Sequence, residues 1–149
     1  MKSKKYIIIA FLWCIVSVVN AQDGLEIQKV FQQYGKSKGV TMVELRDKKF
    51  GDYKFSLYKS ITIVVDKNPE AAEFARKCLL KDQQGAKKVK QVMVNGVPQS
   101  VFLQIPKAGK YYRLILFNEL SKTENRMILV YIESETNSED ILKSILNKK

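Results

Sequence analysis

Apolar residues recur along this chain with two periods, and the changes of period mark its elements. Ile27, Val30, Phe31 and Tyr34 stand at offsets 0, 3, 4 and 7, one face of a helix. Asp23, with Glu26 three residues later, offers a capping box, and Gly35 a stop. From Val40 to Arg46 the period becomes two, with Thr41, Val43 and Leu45 opposing Met42, Glu44 and Arg46, as in a strand. Residues 47 to 56 fit a loop or one helical turn. Leu57 to Val65 reads as a strand, with Leu57, Ile61, Ile63 and Val65 on one face.

The second helix is the plainest element. Asn68 caps it, Pro69 is its first residue, and Glu70 and Glu73 lie in its first turn. Ala71, Phe74, Ala75, Cys78 and Leu79 make an inward stripe, Glu73 and Lys77 form an outer i,i+4 pair, and Gly85 ends the helix. Beyond Lys87 the chain reads as strands joined by turns. Lys88 to Val94 and the turn Asn95-Gly96 signal a hairpin. Val101 to Ile105, Tyr111 to Asn118 and Arg126 to Glu133 follow, separated by turns at Lys107 to Lys110 and Ser121 to Asn125. Ser138 caps a last helix with Ile141, Leu142, Ile145 and Leu146 inward. The order αββαββββα, with short hairpin links, predicts a two-layer α+β domain over residues 22–149 with a mostly antiparallel sheet of about six strands and three helices. Leu114 to Phe117 and Met127 to Ile132 are apolar in both phases. Their second face is therefore either covered by other parts of the chain or presented to a partner.

Residues 1–21 have the three parts of an export signal. Lys2, Lys4 and Lys5 open it, and Tyr6 to Val19 is apolar except for Ser17. Val19-Asn20-Ala21 then suits cleavage between Ala21 and Gln22. That apolar run falls short of the ~20 residues of a spanning helix, so membrane contact is expected only in transit. Trp13 before Cys14 does not suit a lipid-attachment site. The expected location is periplasmic or secreted. Cleavage leaves roughly 128 residues, a chain long enough to bury about two thirds of its unfolded surface. The leader takes three lysines and no acid with it, so the net charge falls from +11 to +8. Cys78 is then the one thiol, which excludes an intramolecular disulfide.

F-Q-Q-Y-G-K-S-K-G-V-T-M-V-E-L from Phe31 to Leu45 resembles small exported proteins of Bacteroidota in a domain-of-unknown-function family. So do S-L-Y-K-S-I-T-I at 56 to 63, N-P-E-A-A at 68 to 72, F-L-Q-I-P at 102 to 106 and L-I-L-F-N-E at 114 to 119. The resemblance spans nearly the whole chain after residue 21. It implies export and a type of fold, and it carries no activity and no catalytic residue.

The chain has no histidine, which excludes a Ser-His-Asp triad, a Cys-His dyad, a His-ligated metal and an imidazole base. No phosphate-binding glycine loop is present; the glycines stand singly at turns and helix ends. Glu133, Glu135, Glu139 and Asp140 cluster, but without the spacing of a calcium loop. No metal, cofactor or catalytic residue is expected. Cys78 lies on an inward stripe with no base beside it, so it reads as a buried apolar residue. The candidate binding residues are cationic: Lys87, Lys88 and Lys90 after Gly85, and Lys107, Lys110 and Arg113 around a later turn. Lysine far outnumbers arginine, which suits a diffuse field better than a bidentate anion pocket.

The leading expectation is an exported, non-catalytic binding or adaptor domain of the cell envelope. Its partner would be an envelope protein or a second copy. The alternative is a basic domain that binds anionic envelope polymers or lipid surfaces through its lysines; export argues against nucleic acid. A hydrolase or redox enzyme ranks third. Amino-terminal sequencing of the protein recovered from its producing cell is expected to begin at Gln22, and a start at Met1 would contradict the export signal. A thiol reagent is expected to label Cys78 slowly in the native state. Labelling as fast as in denaturant would contradict its burial.

Overall fold

The computed structural model describes residues 24–50, 53–120 and 124–147. The export segment, the Ala21–Gln22 junction, Asp23 and the side chains of Ile145 and Leu146 lie outside the described set. The elements run α1 (Ile27–Tyr34), β1 (Val40–Phe50), β2 (Tyr53–Val64), α2 (Pro69–Gln84), β3 (Lys88–Val94), β4 (Val97–Ala108), β5 (Tyr111–Leu120), β6 (Arg126–Ser134) and α3 (Ser138–Asn147). This is the expected αββαββββα order. The strands form one antiparallel sheet in the order β1-β2-β6-β5-β4-β3. Helix α2 carries the chain from β2 to the far edge. A meander from β3 to β6 then returns until β6 docks on β2.

One sheet face packs against α1 and α2. Leu57, Ile61, Ile63, Leu103, Ile115, Met127, Leu129 and Tyr131 meet Ile27, Val30 and Phe31 of α1 and Ala71, Ala75, Cys78 and Leu79 of α2. The start of α2 is as the sequence predicts: Asn68 Oδ1 accepts from the Ala71 N–H at 3.0 Å, with Pro69 at the first position. Glu73, expected to pair with Lys77, instead meets Arg76 at 3.4 Å, and Arg76 also binds Glu119 on β5.

The start of α1 departs from the capping-box expectation. Its N-cap is Glu26, whose side chain makes no cap bond and pairs with Lys29 at 2.8 Å. The free N–H groups of Glu26 and Ile27 donate to the two carboxylate oxygens of Asp82, at 2.8 and 2.9 Å. Asp82 lies on the inward stripe of α2, so one helix caps the other.

The two-layer expectation needs one correction, because α3 lies on the opposite face. Ile141 and Leu142 pack there against Phe55, Phe102, Leu114, Val130 and Ile132. This answers the apolar second phase of β5 and β6: part of it is covered by the chain's own last helix. A bulge assists. Leu57 pairs with Glu133 but Phe55 with Ser134, so Ser56 is an extra residue on β2. Phe55 and Leu57, two apart in sequence, thereby reach opposite faces.

Residues 47 to 56 form neither a loop nor a helical turn where they are described. They extend β1 to Phe50 and begin β2 at Tyr53. The charged run Asp47-Lys48-Lys49 hides an edge strand, and Asp47 takes a φ of 52° within it. β4 is also longer than predicted and contains Pro98 and Pro106. Both stand next to register shifts, where a missing ladder donor is tolerated. Asn95 (φ 52°) and Gly96 (φ 79°) form the left-handed pair that the hairpin signal demands. Ser138 is not the cap of α3: Asn137 Oδ1 accepts from the Glu139 N–H at 2.9 Å, and Ser138 is the buried first residue.

Burial pushes the Asp82 carboxyl above its ordinary value, against the lowering by the two N–H groups. A raised folded-state value makes acidification favour the fold from that value down to the unfolded one near 3.8. Asp82→Ala is expected to lower stability in urea unfolding by about 2 kcal/mol, since it strands one buried and one half-buried donor, and to abolish this acid-range gain. An unchanged midpoint would contradict the capping role.

Candidate functional site

The six cationic residues singled out in the sequence do not form one patch. Lys88 and Lys90 project toward α3, where their Nζ atoms meet the two oxygens of Glu139 at 2.6 and 3.6 Å. The hydrogen bond from Lys88 holds the Glu139 carboxyl below its usual range. Lys90 also lies over the Phe102 ring at 5.9 Å. Lys110 pairs with Glu135 at 2.8 Å, which raises the lysine and lowers the acid. Lys87, on the approach to β3, is exposed, and its backbone N–H donates to the Gln104 carbonyl.

Lys107 and Arg113 do come together, on the rim of a cleft of about 310 Å³ beside α1. Gln28, Tyr131 and Glu133 complete its polar lining. Arg113 Nε donates to the Pro106 carbonyl at 2.8 Å, and Lys107 Nζ rests over Tyr112 at 4.3 Å. Tyr131 O–H donates to Glu133 Oε1 at 2.6 Å. Burial and that bond push the phenol well above its ordinary value. A tyrosine held so firmly protonated is a poor nucleophile or base.

The other candidate groups are engaged in structure. Cys78 is buried, and desolvation raises its thiol, which opposes thiolate formation. Glu133, Glu135 and Glu139 each have the partners named above. Among the described residues no group of three His, Cys, Asp or Glu side chains is placed to hold a metal ion. Among them, too, no helix is long and apolar enough to cross a membrane.

The feature that the sequence did not single out is the β3–β4 hairpin. All seven residues of β3 are exposed. Val92, Met93 and Val97 keep 57%, 50% and 61% of their surface, and Val89 and Val94 are exposed beside them. Val92, Met93, Val94 and Val97 flank the Asn95-Gly96 turn, at the edge of the sheet farthest from β1. Their only signal in sequence is V-M-V-N-G-V, which reads equally well as a buried hairpin.

None of the curated proteins compared with the chain matches it. A family model covers residues 14–145, nearly the full length. With most of the fold inside that span, the chain belongs to DUF6108, a family of unknown function.

Proposed function

We propose that this protein is an exported, non-catalytic binding domain whose contact surface is the β3–β4 hairpin. The observation that carries the reading is the exposed apolar group Val92, Met93, Val94 and Val97 at an open sheet edge. Val92, Val94 and Val97 project from one face of the hairpin tip and Met93 from the other, and apolar residues exposed together on one element mark a contact site more than singly scattered ones do. The leader-like residues 1–21 support export, and the resemblance to exported Bacteroidota proteins agrees with it. The absence of histidine and the engaged state of Cys78, Tyr131, Glu133, Glu135 and Glu139 favour binding over chemistry.

The polyanion reading has one feature in its favour. From Gln83 to Asn118 there is no acid, while Lys87, Lys88, Lys90, Lys107, Lys110 and Arg113 all lie in that stretch. Against it, Lys88, Lys90 and Lys110 are matched by Glu139 and Glu135 from outside the stretch. Partial neutralisation of this kind weakens a field that depends on summed charge.

A photo-crosslinking residue in place of Val97, activated in the producing cell, tests the reading. A discrete adduct is expected there, and equally when an extract is irradiated in about 1 M salt, where charge attraction is screened beyond ~3 Å. Met93→Lys is expected to reduce its yield at least tenfold. No adduct, or binding that salt and Lys87/Lys88/Lys90→Gln abolish, would favour the polyanion reading instead.

A further inference from the structure

We infer that β3 pairs antiparallel with β3 of a second copy about a two-fold axis at Gln91, joining two six-stranded sheets edge to edge. This rests on the hairpin being a contact surface and names its partner.

Three observations carry it. First, β3 is a regular strand. Lys88–Val92 pair with Gln104–Ser100 without a break, and the one extra residue of the hairpin, Gln99, lies on β4. The outer edge of β3 is therefore an uninterrupted template of about 24 Å. Second, the other edge is guarded. β1 carries Glu44, Arg46, Lys48 and Lys49 and a left-handed Asp47, devices that deter strand addition. β3 has no such kink, and its two lysines turn back onto Glu139. Third, the sequence of β3 matches its own reverse. In the two-fold register Val89 faces Met93, Lys90 faces Val92, Lys88 faces Val94, and Gln91 faces Gln91. No lysine opposes a lysine. Each lysine stem lies against a valine, and each apolar side chain meets an apolar one or a stem.

Such an edge contact is small beside the ~1,600 Å² of a standard interface, so the dimer is weak and concentration-dependent. Two basic molecules repel, so added salt strengthens this association, the reverse of its effect on an acidic partner.

Sedimentation equilibrium of the protein as its cell processes it, from about 10 μM to 1 mM, reads the mass. The mass is expected to rise toward twice that of one chain, more readily at high salt. Val92→Lys, at an exposed position, sets the new lysine against the partner's Lys90 and is expected to keep the mass at one chain. Gln91→Cys is expected to form a disulfide-linked dimer in air, and Val89→Cys, which faces Met93, is not. A constant single-chain mass, growth beyond two chains, or a dimer indifferent to Val92→Lys overturns the inference. If the mass stays single while the Val97 crosslink joins a different protein, or an acidic peptide binds the edge and salt releases it, self-pairing fails and the contact surface stands. If neither dimer nor crosslink forms, both fail.

Discussion

Strands β5 and β6 are apolar on both faces, and neither face can be left to water. Leu114, Ile115, Phe117, Met127, Leu129, Val130, Tyr131 and Ile132 are all buried. Each large side chain contributes about 1.5–3 kcal/mol through burial, so the pair must lie centrally with cover above and below. The rest of the architecture follows from that requirement. β6, the last strand in sequence, inserts between β2 and β5. Helices α1 and α2 take one face and α3 the other. The strands that alternate poorly or carry many charges, β1 and β3, are left at the edges.

The cover on the first face depends on a link between two helices. α1 has only eight residues, too few to be stable alone. Its apolar stripe supplies the packing, and Asp82 of α2 satisfies the two donors at its start. The carboxylate is buried at the cost of a raised protonation range, which two hydrogen bonds only partly offset. On the second face, Glu139 of α3 gathers Lys88 and Lys90 from the edge strand. Pairs this exposed contribute little stability. Their effect is on surface character: they draw positive charge away from an apolar edge.

Much of this was legible in the residues. Offsets of three and four located α1 and α2, Asn68-Pro69 marked a helix start, and Asn95-Gly96 marked a tight hairpin. The two-phase apolar runs of β5 and β6 announced that both sheet faces needed cover. What provides it was not legible, because periodicity says which side of α3 is apolar but not which face of the sheet it meets. Asp82 was open to detection as an acid at offset 11 on the stripe that begins at Ala71. The end of β1 from Asp47 was misread because charges break the alternation on an edge strand that water reaches. The cationic residues were found by composition, yet their grouping depended on Glu135 and Glu139, which arrive from the far end of the chain. The exposure of the hairpin was invisible for a simpler reason: valine and methionine look the same in sequence whether buried or bare.

Amide hydrogen exchange on a dilute sample tests the central claim, double cover of β5 and β6 with an open edge at β3, most directly. The account predicts that amides of Leu114–Phe117 and Met127–Ile132 exchange most slowly, at rates set by global unfolding. The amides of β3 that point away from β4 are predicted to exchange orders of magnitude faster. Fast exchange in β5 and β6, or β3 protected as strongly as they are in dilute solution, would contradict it.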